Sequence, residues 1–201
     1  MLNWVQIFGP QLAAALRTHR RRVGRKWTVD EVFCFRGTQK LYLYRAVDEQ
    51  GQVIDVLLRD KRNRASAEAF FRQALARTEV TPQAIITDPH QPYVKAVATV
   101  IPLARHVRTG LHRRRGYTTQ PVERSHVPTR DRLRGTRGLR TVGTGQRFLE
   151  SFEAPHALRR GTVKLRTLVP RYRPIQASVH ETARAVVMAM DVLGTQLKKA
   201  A

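Results

Sequence analysis

The sequence predicts an α/β fold in which a meander of antiparallel strands is continued by parallel ones, and three observations carry that prediction. Three segments between residues 27 and 59 are rich in aromatic and β-branched residues and are joined by short turns. A run with apolar residues at helical spacing follows at 63–77. Directly after it comes a short apolar run, AIITD at 84–88. A strand reached through a helix needs a crossover, and a crossover makes the pairing parallel.

Each element has a local reason. Residues 2–17, LNWVQIFGPQLAAALR, alternate apolar and polar at helical spacing, and Gly9–Pro10 divides them into two short expected helices. His19 to Lys26 is a basic linker. WTVDEVFCFR (27–36), KLYLYRAVD (40–48) and QVIDVLLR (52–59) are the three strands, with Gly37–Thr38 and Glu49–Gln50–Gly51 as turns. Asn63 is a helix cap for 63–77, whose apolar face holds Ala65, Ala69, Phe70 and Leu75, and Thr81–Pro82 breaks the helix. Residues 93–100 are helical and ARHVR (104–108) is a fifth strand. Three antiparallel strands, then helix, strand, helix, strand, helix, is the order of a ribonuclease-H-like fold. No internal repeat is visible.

Composition narrows the partners. The chain has 201 residues, 37 Lys plus Arg, 15 Asp plus Glu and a formal charge of +22, with 42% hydrophobic residues. That is globular rather than disordered, and it supports a core. No run of about 18 uncharged apolar residues occurs, which excludes a readable membrane span, and the first residues do not form a signal peptide. A lone cysteine, Cys34, excludes an intramolecular disulfide, fits a reducing cytoplasmic interior, and reads as a buried structural thiol. The charge is uneven: net +6 over residues 1–26, +1 over 27–104, +14 over 105–173 and +1 over 174–201. A nearly neutral, strand-rich segment thus lies between two basic ones. With 30 Arg to seven Lys, the expected partner is a nucleic acid, since arginine pairs bidentately with phosphate. The hydrophobic content argues against a basic structural protein of a ribonucleoprotein.

Three carboxylates stand out by position: Asp30 inside the first strand, Asp88 at the end of the fourth, and Glu123 in QPVERSH ahead of an expected helix. Taken singly, such residues cap turns or complement a helix dipole. As an ordered set they suit phosphodiester chemistry, in which carboxylate oxygens hold two Mg²⁺ ions roughly 3.5–4 Å apart. Neighbouring first and fourth strands would bring Asp30 and Asp88 together, with Asp30 bridging the two ions, and a helix packed on the sheet would supply Glu123.

With these residues in view, the sequence resembles the DDE transposases of bacterial insertion sequences, most closely the branch named after insertion sequence six. The matching stretches are WTVDE (27–31), LYLYRAVDEQGQVIDVLL (41–58), RNRASAEAFF (62–71), ITDPHQPY (86–93), VERSHVPTRDRLRG (122–135) and GLRTVGTGQRFLESFEAPHALRRG (138–161). The resemblance covers about residues 2–161. It implies a catalytic triad of Asp30, Asp88 and Glu123 on two Mg²⁺ (or Mn²⁺) ions, with Arg130 seven residues after the Glu on the same helical face, and His126 one turn from it. It implies transposon-end and target double-stranded DNA as partners, phosphate contacts from Arg113, Arg114, Arg115, Arg130, Arg132 and Arg134 with His126 also among the DNA-binding residues, a dimer or larger assembly on DNA, no membrane, and a cytoplasmic, nucleoid-associated setting. The expected activity is Mg-dependent strand cleavage and 3′-hydroxyl strand transfer by direct transesterification.

The chain also departs from that family. It begins at what looks like the last helix of the family's helix-turn-helix region, so residues 1–26 read as a remnant of an N-terminally truncated DNA-binding region, 27–161 as the catalytic domain, and 162–201 as a basic linker with a C-terminal amphipathic helix. Pro128 falls between Glu123 and Arg130, where proline costs a helix about 3 kcal/mol. Ser125 replaces the family's acidic residue and Gln120 its Asn. The alternative function is therefore a truncated or degenerate copy that binds DNA without catalysis.

Overall fold

The segments read as strands form one sheet: β1 (Lys26–Arg36), β2 (Gln39–Asp48), β3 (Val53–Arg59), β4 (Ala84–Thr87) and β5 (Arg105–Arg108). Their spatial order is β3-β2-β1-β4-β5. The β1–β2 and β2–β3 pairs are antiparallel, and β1–β4 and β4–β5 are parallel. Between them run α2 (Arg64–Thr78) and α3 (Gln91–Val100), and two longer helices follow, α4 (Gln120–Arg134) and α5 (Val142–Arg159). This is the ribonuclease-H-like arrangement that the element order predicts. The computed structural model describes residues 3–109, 118–134 and 139–163, with seven separate residues between 184 and 195. Most of the expected C-terminal amphipathic helix lies outside the described residues.

Two compact units are distinguished, residues 23–146 and residues 1–22 with 147–201. In the larger, one sheet face packs on α2 and α3 through Trp27, Val29, Tyr44, Phe70, Phe71, Ile85 and Tyr93. The rings interlock: Tyr44 stacks on Phe70 at 6.0 Å between centroids and meets Tyr93 edge-on at 6.1 Å. Asn63 caps α2 as expected, its side chain accepting from the Ser66 N–H at 3.0 Å. The other sheet face is covered by α4, whose inward residues Val122, Ser125, His126 and Thr129 recur at helical spacing.

β3 ends the sheet, and an open strand edge invites foreign pairing. Gln146 occupies that edge: its Oε1 accepts from the Leu58 N–H at 2.7 Å and its Nε2 donates to the Val56 carbonyl at 3.0 Å. Gly145 precedes it because a Cβ there would lie 2.7 Å from Leu58 Cδ2. Cys34 is buried, and desolvation pushes its thiol up to about 11.

In the smaller unit one expectation is corrected. Residues 3–18 form a single helix, α1 (Asn3–Thr18), running through Gly9–Pro10 rather than breaking there. The reason is tertiary. Ser151 of α5 donates its hydroxyl to the Val5 carbonyl at 3.0 Å, and any side chain at position 9 would collide with Ser151 Oγ. Gly9 is therefore an approach point for another helix, not a stop signal. Among the described residues no helix is long and apolar enough to cross a membrane.

Phe70 touches both Tyr44 and Phe71 and has no exposed surface. Phe70→Ala is expected to lower the free energy of unfolding by about 3–5 kcal/mol, read as a lower urea midpoint at unchanged slope.

Candidate functional site

β1 and β4 pair through Lys26–Ala84, Trp27–Ile85 and Thr28–Ile86. Carried two residues further, the same offset sets Asp88 level with Asp30. Strand alternation sends Asp30 toward α4 and Glu31 toward α2 and α3, and Asp88 follows the last residue of β4. One carboxylate oxygen each from Asp30, Glu31 and Asp88 lies within 4.8 Å of the other two, and all three residues are partly buried. The cluster stands at the C-terminal end of a parallel strand, where open α/β sheets gather their ligands.

Each carboxylate is held differently. Asp30 faces Arg45 across the β1–β2 register. Arg45 is buried, and its Nη1 donates to Thr129 Oγ1 of α4 at 2.8 Å. His126, 3% exposed, sets Nε2 3.7 Å from Asp30 Oδ2, beyond hydrogen-bond distance. Desolvation lowers the pKa of its imidazole. Glu31 is 4% exposed at its side chain and pairs with the Arg62 guanidinium, while the Tyr93 hydroxyl of α3 donates to it. Burial pushes the Glu31 carboxyl upward against the pull of Tyr93 and Arg62. Burial likewise holds the Tyr93 phenol well above its usual range, so that it stays a donor. The same Arg62 reaches Asp88, Nη2 to Oδ2, at 3.3 Å. Asp88 Oδ1 accepts from the His90 N–H at 3.1 Å, which turns the chain into α3.

Glu123 lies inside the first turn of α4 rather than ahead of the helix. It is exposed, accepts from Thr119 Oγ1 at 2.6 Å and is not one of the three clustered acids. The helix runs unbroken through Pro128 to Arg134. Ser125 is buried and donates to the Val122 carbonyl at 2.6 Å. Arg130 and Arg132 are exposed on α4. Arg113, Arg114 and Arg115, and the side chain of Arg134, lie outside the described residues.

Glu31, Arg62, Tyr93 and Arg45 were not singled out by sequence reading. A signal existed for one of them: Glu31 is a carboxylate at a position whose strand neighbours Val29 and Trp27 face the core, and a charge there needs partners. Three oxygen donors this close suit a hard divalent cation such as Mg²⁺ or Mn²⁺.

Arg62 is the cation that joins two of the three acids. Arg62→Ala leaves a buried carboxylate without its ion pair and is expected to destabilise the fold by about 1–3 kcal/mol. That is less than a fully buried pair costs, because the Arg62 side chain is 37% exposed. Adding Glu31→Gln should recover part of the loss in urea unfolding, as the double-mutant cycle then removes the uncompensated charge.

A family model described as a DDE domain matches residues 24–162. The transposase for insertion sequence-like element IS431mec of Staphylococcus aureus is 30% identical over 156 residues, covering 78% of this chain and 67% of that one. The transposase for insertion sequence element IS257 in transposon Tn4003, also of Staphylococcus aureus, matches to the same extent. Among solved structures, the catalytic domain of Mos1 mariner transposase is 11% identical, with a TM-score of 0.46 over 96% of this chain and 92% of that one. The HTLV-2 integrase catalytic core domain in complex with magnesium is 17% identical, with a TM-score of 0.48 over 72% and 99%. By the family model and the staphylococcal relatives, the chain belongs to the DDE transposases of bacterial insertion sequences, in the insertion sequence six family.

Proposed function

We propose that this transposase cleaves DNA at the ends of an insertion sequence and joins the freed 3′-hydroxyl to target DNA, in a reaction that depends on Mg²⁺ or Mn²⁺. The supporting observation is the level placement of Asp30 and Asp88 at the parting of β1 and β4. Asp30 and Asp88 would hold the cations, with Glu123 contributed from the first turn of α4. When bound, two such ions supply the Lewis acidity that activates the attacking oxygen and stabilises the leaving one.

The remaining work falls to the chain's own side chains. The buried His126 ring packs beside the Asp30 carboxylate, with Arg45 opposite Asp30 across the β1–β2 register, so His126 acts as a positioning residue. Arg130, Arg132 and Arg134 along α4, with Arg113, Arg114 and Arg115, take phosphates of the duplex. Residues 27–161 form the catalytic portion, and the basic stretches on either side hold DNA, with two or more copies acting together on transposon ends and target at the nucleoid. A second reading, a copy that binds DNA without cutting it, draws on the hold of Thr119 on Glu123 and of Arg62 on Asp88.

Strand transfer from a labelled element end in Mg²⁺ separates the two readings. Asp30→Asn and Asp88→Asn are each expected to lower the rate at least about 100-fold, the scale of a lost electrostatic stabiliser, with DNA binding retained. A wild type no faster than Asp30→Asn would establish the binding-only reading.

Arg130→Ala and Arg132→Ala should weaken binding alike on any sequence. Each is expected to reduce the slope of log K against log salt by about one, measured by fluorescence anisotropy across a salt series.

A further inference from the structure

Beyond Glu31 on the same face of β1, the side chains leave the core. Phe33 and Phe35 are 54% and 50% exposed. They meet edge to face with centroids 5.7 Å apart. Across the strands, Phe33 faces Tyr42 and Phe35 faces Lys40, and Tyr42 faces Arg59 on β3. The Lys40 ammonium stands 4.7 Å from the centroid of the Phe33 ring. One strip of sheet therefore carries three aromatic rings and two cations, and no acid occupies any of those five positions. It begins about 7 Å along the strand from Glu31, at roughly 3.3 Å per residue, and so adjoins the acidic cluster.

Two exposed rings, Phe33 and Phe35, beside the half-buried Tyr42 and two cations suit single-stranded nucleic acid, whose bases stack on the rings while its phosphates meet the charges. Lys40 and Arg59 beside the rings add the positive charge that a phosphate backbone meets. Within an intact duplex the bases are already stacked, so the strip offers something only to bases that have left their partners. We infer that the Phe33–Phe35–Tyr42 strip, with Lys40 and Arg59, holds unpaired bases of the DNA strand next to the position where it is cut. This rests on the function proposed above. It assigns the face to the nucleic acid and not to a second copy of the chain.

The test compares a duplex bearing a short single-stranded end that contains 2-aminopurine with the same duplex made blunt, without divalent cation so that binding is read alone. The 201-residue chain is expected to bind the open end about tenfold more tightly and to quench the 2-aminopurine by stacking. Phe33→Ala and Phe33→Leu should each lose that tenfold preference while still binding the blunt duplex. Phe33→Trp should keep it, and Lys40→Ala should lower the salt slope by about one. Leucine keeps the apolar bulk and removes the ring face, so a Phe33→Leu protein with the preference intact overturns the inference. Self-association lost in Phe33→Ala but kept in Phe33→Leu, with DNA preference unchanged, would assign the face to a second copy instead. A wild type that binds both ends alike overturns this inference, and cleavage of both once Mg²⁺ is added leaves the proposed function standing. One that binds neither overturns both.

Discussion

Three rungs of parallel pairing, Lys26 to Ala84, Trp27 to Ile85 and Thr28 to Ile86, align the acidic cluster of this molecule. They set the register that brings Asp88 level with Asp30. A slip of one residue would turn alternate side chains to the wrong face of the sheet. What prevents the slip is packing, not any property of the acids. Trp27 and Ile85 are paired, have no exposed surface, and belong to the same cluster under α2 and α3. Moving either one outward would forfeit about 1.5–3 kcal/mol of burial for each side chain. The site is thus aligned by its hydrophobic neighbours, a few residues before the strands part.

The acids divide by what surrounds them. Asp48 is saturated by the N–H groups of Gly24, Gln50 and Gln52, and Asp55 by Arg77 and Gln73. These buried carboxylates tie turns and helices together. Asp30 and Asp88 keep 21% and 33% of their side chains exposed, in a group of three where like charges repel. Arg62 offsets that repulsion from the loop ahead of α2, by contact with two acids at once. A divalent cation at the cluster would meet the same electrostatic need. The +22 charge of the chain then acts at longer range. It suits a polyanionic partner.

Helix α4 shows how one element serves both demands. Its inward face, Val122, Ser125, His126 and Thr129, packs on the sheet beside Asp30. Its exposed residues Glu123, Arg130 and Arg132 face solvent. Pro128 removes one backbone donor within it, and the helix persists because its buried face is anchored, in part by the Arg45–Thr129 hydrogen bond. Tertiary packing here outweighs a local propensity of about 3 kcal/mol.

By itself the sequence determined the kinds and order of the elements between residues 26 and 108, the Asn63 cap, the antiparallel meander, the parallel crossover, and the family. All of these rest on local periodicity, turn residues and short ordered motifs that a chain displays without folding. It also nominated Asp30 and Asp88 as partners. The tertiary structure alone decided that Gly9–Pro10 lies inside one helix, because that depends on Ser151 more than 140 positions away. It decided that Glu31 joins the cluster, that Arg62 links Glu31 to Asp88, and that Glu123 sits with Thr119 inside α4. Spacing along a chain specifies which face a side chain takes. Which distant group it meets there is set by the register and packing of other elements, and those exist only once the core has formed.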